Sequence, residues 1–80
     1  MHEFCIKFQG TLSSMIGEKI CLKLDKCERI ESLIQKIIIE KKIPLSVGEL
    51  LITHQGNAIK EDLTTCDVNE VEVYRMFQGG

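Results

Sequence analysis

One stripe of aliphatic residues at helical spacing divides this 80-residue chain into two parts. Side chains three and four positions apart lie on one face of an α-helix, which has 3.6 residues per turn. The stripe consists of Ile30, Leu33, Ile34 and Ile37. Pro44 ends the predicted helix, because proline disfavours helical geometry in the residue before it. Since β-branched isoleucines lower helix propensity, we expect packing against a sheet to hold this helix.

Two stretches before the helix alternate apolar and polar residues, which is the period of a half-buried strand. They cover residues 4–8 and residues 18–24, and the glycines and serines between them are typical of a connection. The pair predicts a hairpin with a long loop. In that loop Leu12, Met15 and Ile16 either contact a partner or fold back over the sheet edge, and we expect the second arrangement.

Three further strands are predicted after the helix. Residues 50–53 form the first of these, and the turn Gln55-Gly56-Asn57 leads to a short strand around residues 58–59. Residues 61–69 are irregular, with Leu63 and Val68 as the expected buried anchors, and residues 71–76 alternate as a last strand. This order predicts an α+β fold of the β-grasp type, a mixed four- to five-stranded sheet packed on one helix. Residues 1–76 would form the domain.

Composition excludes several classes of function. Ten Lys and Arg residues against twelve Asp and Glu give a net charge of −2, which does not suit binding to nucleic acid. No apolar run approaches the roughly 18 residues of a membrane span, and no secretory signal is visible. We therefore expect a monomeric, cytoplasmic protein that binds neither nucleic acid nor membranes, with the nucleus possible in a eukaryote.

The four cysteines are Cys5, Cys21, Cys27 and Cys66. Two disulfides are possible, and Cys5 and Cys21 fall on outward positions of paired strands where one could form, but without a secretory context we predict four reduced thiols. Cys21 and Cys27 are too far apart for a zinc knuckle, and His2 and His54 are poorly placed to help, so no metal site is predicted. His2 and His54 could act as a base for a cysteine, but the two are far apart in sequence and no nucleophile-elbow or strained-turn motif is present, so we predict no catalytic residue and no enzyme.

Several segments together resemble ubiquitin. Residues 29–44, RIESLIQKIIIEKKIP, resemble the ubiquitin helix and the Ile-Pro that follows it. Residues 51–56, LITHQG, resemble the third strand and its glycine turn, and residues 63–68 resemble the segment after the short fourth strand. Residues 71–80, ending in Gly-Gly, resemble the last strand and tail. The resemblance covers nearly the whole chain and implies a ubiquitin-like modifier that differs from ubiquitin itself.

The resemblance also implies how the end of the chain would be used. An activating enzyme would consume ATP to activate the Gly80 carboxylate, so the chain itself needs no cofactor. A conjugating enzyme and a ligase would pass it through thioesters to target lysines, and a deconjugating protease would remove it. Residues 77–80 would form a flexible tail in which Gly79 and Gly80 thread into a partner's site. Activating and processing enzymes would recognise the segment that consists of Arg75, Met76, Phe77 and Gln78.

Some positions depart from ubiquitin. Thr53 and Tyr74 stand where ubiquitin has the isoleucine and valine of its main recognition patch. With His54 they form a predicted partner-binding face, although an ordinary exposed polar face is an equal alternative. Met76 replaces a tail arginine, which implies a dedicated activating enzyme. Lys36 matches a ubiquitin lysine and is a possible acceptor for chains.

Three alternatives to the modifier remain open from the sequence. A sulfur carrier of the same fold ends in Gly-Gly and forms a thiocarboxylate on that glycine. A non-covalent ubiquitin-like interaction domain can be part of a longer chain. A Gly-Gly end can also be an ordinary frayed terminus.

Overall fold

A computed structural model describes residues 1–76 of the chain. Its elements, in order, are β1 (His2–Phe8), α1 (Thr11–Ile16), β2 (Lys19–Leu24), α2 (Ile30–Glu40), a 3₁₀ turn (Val47–Glu49), β3 (Leu50–His54), β4 (Asn57–Ala58) and β5 (Glu70–Arg75). The five strands form one mixed sheet in the order β2-β1-β5-β3-β4. Strands β1 and β5 are parallel, and the other neighbours are antiparallel. The predicted fold class is confirmed.

The core lies between α2 and one face of the sheet. Strand register brings Phe8 and Ile52 to the two sides of Val73, because β5 pairs with β1 on one side and with β3 on the other. The predicted helix stripe is buried, and Ile38 joins it at 6 % exposure. The fully buried side chains of the core are Phe4, Ile6, Leu12, Ile30, Ile34, Val71, Val73 and Thr65.

Helix α2 ends at a backbone turn that precedes Pro44. Glu40 is its last residue, and Lys42 then adopts a left-handed conformation with φ 55°. The Ile43 N–H donates to the Ile38 carbonyl at 3.0 Å, which closes the last turn as in a Schellman motif. The prediction that Pro44 ends the helix is therefore wrong by several residues, because a backbone turn satisfies the helix carbonyls first.

The first hairpin contains a short helix, α1, that the sequence analysis treated as loop. Its Leu12 is fully buried and contacts the sheet-side core, Ile16 is partly buried, and Met15 stays 45 % exposed. Leu12 and Ile16 fold back onto the sheet as expected, although α1 contacts the interior strands β1 and β5 and the expectation named the sheet edge.

The predicted tight turn joins β3 to β4. Thr53 pairs with Ala58 and His54 with Asn57, which leaves a two-residue loop. Gln55 and Gly56 both have positive φ, 52° and 84°, as a type I′ hairpin turn requires.

The irregular segment before β5 anchors the start of α2. Leu63 and Val68 are partly buried, as expected, but Thr65 is the most buried residue there at 2 % exposure. The Glu28 N–H donates to the Thr65 hydroxyl at 3.0 Å, and the Thr65 N–H donates to the Glu28 carbonyl at 2.8 Å. Thr65 thus holds the residue just before the N-cap of α2, and the Ile30 N–H, which the helix leaves without a partner, donates to the Leu63 carbonyl at 3.2 Å.

No helix within residues 1–76 is long and apolar enough to cross a membrane.

Candidate functional site

An exposed apolar strip runs along the sheet face that points away from α2; we call this the outer face. Leu51 on β3 lies directly opposite Tyr74 on β5. The Met76 N–H continues this pairing by donating to the Glu49 carbonyl, so alternation puts the Met76 side chain on the same face as Tyr74. These three side chains are 38 %, 42 % and 40 % exposed. Three neighbouring apolar side chains left in water by a small domain are typical of a contact surface. We name Leu51, Tyr74 and Met76 the apolar strip.

Thr53 shares the outer face with Tyr74, because its register partner is Glu72. Thr53 is only 5 % exposed, and its hydroxyl donates to the Glu72 carboxylate at 3.0 Å. Neighbouring side chains therefore cover Thr53, which offers almost no surface to a partner. Leu51, which the sequence analysis did not single out, offers more apolar surface on this face.

His54 points to the opposite face from Thr53, because side chains alternate along a strand. Its Nδ1 nitrogen donates to the Glu70 carbonyl at 2.9 Å. The predicted partner-binding face of Thr53, His54 and Tyr74 is therefore not one surface. His54 instead lines an open cavity of about 570 Å³ together with His2. Sequence reasoning missed this proximity, since strand pairing and not chain distance brings the two histidines together.

The His2 ring in that cavity contacts a buried hydroxyl. His2 Nε2 lies 3.3 Å from the Thr65 hydroxyl oxygen. That hydroxyl also accepts the Glu28 N–H and is shielded from solvent. The Thr65 hydroxyl is therefore engaged in contacts within the fold. The prediction of no catalytic residue stays a prediction.

The start of the tail lies at one end of the central strand. Arg75 pairs with Leu50, and the Met76 N–H donates to the Glu49 carbonyl at 2.9 Å. A groove of about 230 Å³ beside them is lined by Gln9, Gly10, Thr11, Tyr74 and Arg75. Arg75 and Met76 are both exposed, as recognition of the tail requires. Phe77, Gln78, Gly79 and Gly80 lie outside the described residues.

Comparison with solved structures identifies the architecture. The chain matches the crystal structure of SAMP1 from Haloferax volcanii with a TM-score of 0.69 and 13 % sequence identity, over 99 % of this chain and 100 % of that chain. It has the ubiquitin-like β-grasp fold. It also matches the UBL domain of Dsk2 from Plasmodium falciparum, with a TM-score of 0.57 and 18 % identity over 91 % of this chain and 95 % of that chain. No protein-family model and no curated protein matches the sequence.

Lys36, the possible acceptor for chains of linked modifiers, lies on the exposed side of α2. Lys36 places its ammonium 2.8 Å from a Glu28 carboxylate oxygen, and its side chain is 68 % exposed. An exposed ion pair of this kind contributes little to stability. The pair therefore leaves Lys36 accessible, and its use as an acceptor stays a prediction.

All four cysteines of the domain are paired in two disulfides, so the prediction of four reduced thiols is wrong. Cys5 and Cys21 join β1 to β2 with a Cα–Cα distance of 4.1 Å, and Cys27 and Cys66 are joined with a distance of 5.2 Å. The strand pattern makes the first pair possible, because it puts Cys5 and Cys21 on outward positions of paired strands, whereas the second pair depends on contacts between distant segments. Disulfides are rare in cytosolic proteins, so this pairing weighs against the cytoplasmic location, which stays a prediction.

Glu70, at the start of β5, forms ion pairs with two lysines of the outer face. Glu70 lies 3.3 Å from the Lys7 ammonium and 3.6 Å from that of Lys19. The hydrogen bond from Lys7 is the main cause that lowers the pKa of Glu70, and the positive charges of both lysines add to it. Partial burial opposes the shift without reversing it.

We expect this carboxylate to affect acid stability in a defined direction. Because folding lowers the pKa of Glu70, the ionised form favours the folded state, and the contribution is complete above the ordinary glutamate pKa. It is lost as the pH falls through the lowered value. In Glu70→Gln, urea midpoints measured between pH 7 and pH 3 should therefore fall less steeply on the acid side than in the wild type.

The exposed Glu61 provides the control for Glu70. Glu61→Gln should keep the wild-type pH dependence, and added salt should reduce the difference between the Glu70 variant and the wild type. If the urea midpoints of all three proteins fall equally steeply between pH 7 and pH 3 at low salt, ionised Glu70 does not stabilise the fold.

Proposed function

We propose that this protein is a ubiquitin-like modifier that is joined through the Gly80 carboxylate to lysines of other proteins. The observation that carries the proposal is the position of β5. This central strand of a ubiquitin-like β-grasp sheet ends at Arg75, and the remaining sequence after Met76 is Phe-Gln-Gly-Gly. Four residues span at most about 14 Å. A partner that acts on Gly80 would therefore also lie within reach of the apolar strip.

The chemistry must come from partners, because a carboxylate is a poor electrophile. An activating enzyme would join the Gly80 carboxylate to the AMP part of ATP and release pyrophosphate. A cysteine thiolate of that enzyme would then displace AMP and form a thioester. A target lysine amine would attack the thioester carbonyl and release the thiol, which leaves an isopeptide bond. The chain's own contribution is a surface for docking and glycines that pass through a narrow channel.

The apolar strip is the docking surface that this proposal favours. It replaces the predicted face of Thr53, His54 and Tyr74, of which only Tyr74 belongs to it. Its aromatic member offers a broad contact at low entropic cost, and Arg75 offers a charge beside the groove. A conjugating enzyme, a ligase and a deconjugating protease are the further partners implied.

Proteomics on cells that make the natural chain can test the proposal. Trypsin cuts after Arg75, so a conjugated lysine should carry a Met-Phe-Gln-Gly-Gly branch that begins at Met76. Deletion of Gly80 should abolish these branched peptides, because the reacting carboxylate moves one residue back. The Lys36→Arg variant is the control, since it should keep conjugation to other proteins and lose only chains that are built on Lys36.

Intact mass separates the alternatives. Replacement of one Gly80 oxygen by sulfur, without branched peptides, would show a sulfur carrier and overturn the modifier proposal. Wild-type and Gly80-deleted chains that both give no adduct would favour a non-covalent interaction domain.

A further inference from the structure

The outer face carries two cysteines and a carboxylate that the proposed modifier function does not use. Cys5 on β1 lies directly opposite Cys21 on β2, and Glu3 precedes Cys5 by two residues on the same face. The two sulfur atoms and a carboxylate oxygen of Glu3 all lie within 4.8 Å of one another. Three potential ligand atoms from two paired strands therefore converge at one point.

We propose that Cys5, Cys21 and Glu3 form a redox-gated site for a single Zn²⁺ or a similarly soft divalent cation. In the disulfide form the sulfurs are bonded to each other and offer no thiolate. Once the disulfide is reduced, the same strand register holds two thiolates and one carboxylate together. Such a ligand set suits Zn²⁺ or Cd²⁺ and not Mg²⁺ or Ca²⁺, which prefer oxygen ligands.

The distances fit a tetrahedral ion. Zn–S bonds of about 2.3 Å place two sulfur ligands about 3.8 Å apart, and a Zn–O bond of about 2.1 Å places the oxygen about 3.6 Å from each sulfur. The three ligand atoms already lie within 4.8 Å of one another. After reduction the two sulfurs, no longer bonded, would move apart to that distance by rotation of their side chains, so the strands need not separate.

The three residues would leave one coordination position open. Cys5 is buried at 8 % exposure, whereas Glu3 and Cys21 are exposed. The ion would therefore lie at the surface of the outer face, with water in the fourth position. Three protein ligands and one exchangeable ligand are typical of zinc sites that are open to further chemistry or to a partner's side chain.

The neighbouring charges permit a cation at this place. Glu70, the register partner of Cys5 on β5, forms ion pairs with Lys7 and Lys19, so both ammonium groups have a carboxylate partner. Lys23 lies across from Glu3. Two thiolates, one carboxylate and Zn²⁺ sum to one negative charge, which Lys23 can offset.

The redox step is an ordinary thiol–disulfide exchange. One dithiol reductant gives two electrons to the Cys5–Cys21 bond, which opens to two thiols while the reductant closes its own disulfide. Zn²⁺ binding then releases the two thiol protons to water. A disulfide oxidant reverses the step: it accepts two electrons and two protons and becomes a dithiol, the Cys5 and Cys21 sulfurs bond to each other again, and the ion is released. The site is thus filled in a reducing compartment and closed in an oxidising one.

The second cysteine pair offers an internal comparison. Cys27 and Cys66 belong to no comparable group of three potential ligands within residues 1–76. Reduction of the whole chain exposes four thiols, but only Cys5 and Cys21 should bind the ion with a carboxylate. A variant at Cys66 therefore tests whether binding is specific to the β1–β2 site.

Cadmium titration of the full chain provides the test. Protein reduced with dithiothreitol and separated from it without oxygen should show a thiolate-to-Cd²⁺ charge-transfer band that saturates at one ion per chain. Zn²⁺ should abolish the band by competition. Cys66→Ser should keep the band and Cys21→Ser should lose it. Glu3→Gln should weaken Cd²⁺ binding at least about tenfold, whereas the matched control Glu40→Gln, at the exposed end of α2, should not.

Other outcomes would overturn the proposal. A reduced wild type without a stoichiometric band, or equal loss of the band in the Cys21 and Cys66 variants, would exclude the site. Equal Cd²⁺ affinity in Glu3→Gln and Glu40→Gln would exclude the carboxylate. Circular dichroism recorded in the same titration reports unfolding on reduction; binding by an unfolded chain would also exclude a site that depends on strand register.

Discussion

Simultaneous replacement of Cys27 and Cys66 by serine should lower the free energy of unfolding by about 4 kcal/mol. The Cys27–Cys66 bond joins residues 39 positions apart and so restricts the unfolded chain strongly. Both side chains are exposed, so serine removes the bond without burying a new polar group. For a domain of this size we expect a melting temperature lower by about 15–30 °C. Urea unfolding followed by circular dichroism under oxidising conditions measures the loss.

The Cys5–Cys21 bond provides the comparison. It spans only 16 positions, so the double variant Cys5→Ala with Cys21→Ala should cost about 3 kcal/mol, less than loss of the longer loop. Reduction of the wild type should remove both contributions together. A loss under about 1 kcal/mol for Cys27 and Cys66 would contradict the prediction and would show that the unfolded chain keeps these two segments close without the bond.

The sequence was sufficient for the parts of the fold that depend on local periodicity. The stripe from Ile30 to Ile37 predicts α2 because burial of one helix face needs that spacing. Alternation in residues 71–76 predicts β5 with Val71 and Val73 inward, and Gln55-Gly56 predicts the hairpin turn. In each case the pattern and the structure are linked by geometry within a few neighbouring residues.

What the sequence analysis missed depends on contacts between distant segments. The pairing of Cys27 with Cys66 follows from docking of the loop around Thr65 against the start of α2, whereas strand alternation alone puts Cys5 and Cys21 on outward positions of paired strands. Thr65 itself carries no local signal, since a buried threonine reads like any polar loop residue. The prediction of reduced thiols depends on the expected reducing compartment and not on the geometry of the strands.

The candidate site was predicted in part. Tyr74 was placed on the outer face correctly, and the use of Gly80 came from the resemblance to ubiquitin. His54 was grouped with Thr53 although consecutive strand residues point to opposite faces. The same alternation, applied from Thr53 back to Leu51 and from Tyr74 on to Met76, could have found the apolar strip.

Truncation of Leu12 to alanine should lower the free energy of unfolding by about 3 kcal/mol, within the 2–5 kcal/mol typical of such cavities. Leu12 is fully buried although it lies in the short helix α1, and it belongs to the core shared by the sheet and α2. Its removal leaves a void that the surrounding strands cannot fill, because β1 and β5 are fixed by their ladder hydrogen bonds. Urea unfolding of the purified full chain measures the change.

Met15 on the same helix is the matched control. Its side chain is 45 % exposed, so Met15→Ala should change the free energy of unfolding by no more than about 0.5 kcal/mol. The contrast separates the two roles considered for this segment, because a loop kept for a partner would tolerate both substitutions in the isolated protein. Equal and small effects of Leu12→Ala and Met15→Ala would show that α1 does not cover the core in solution.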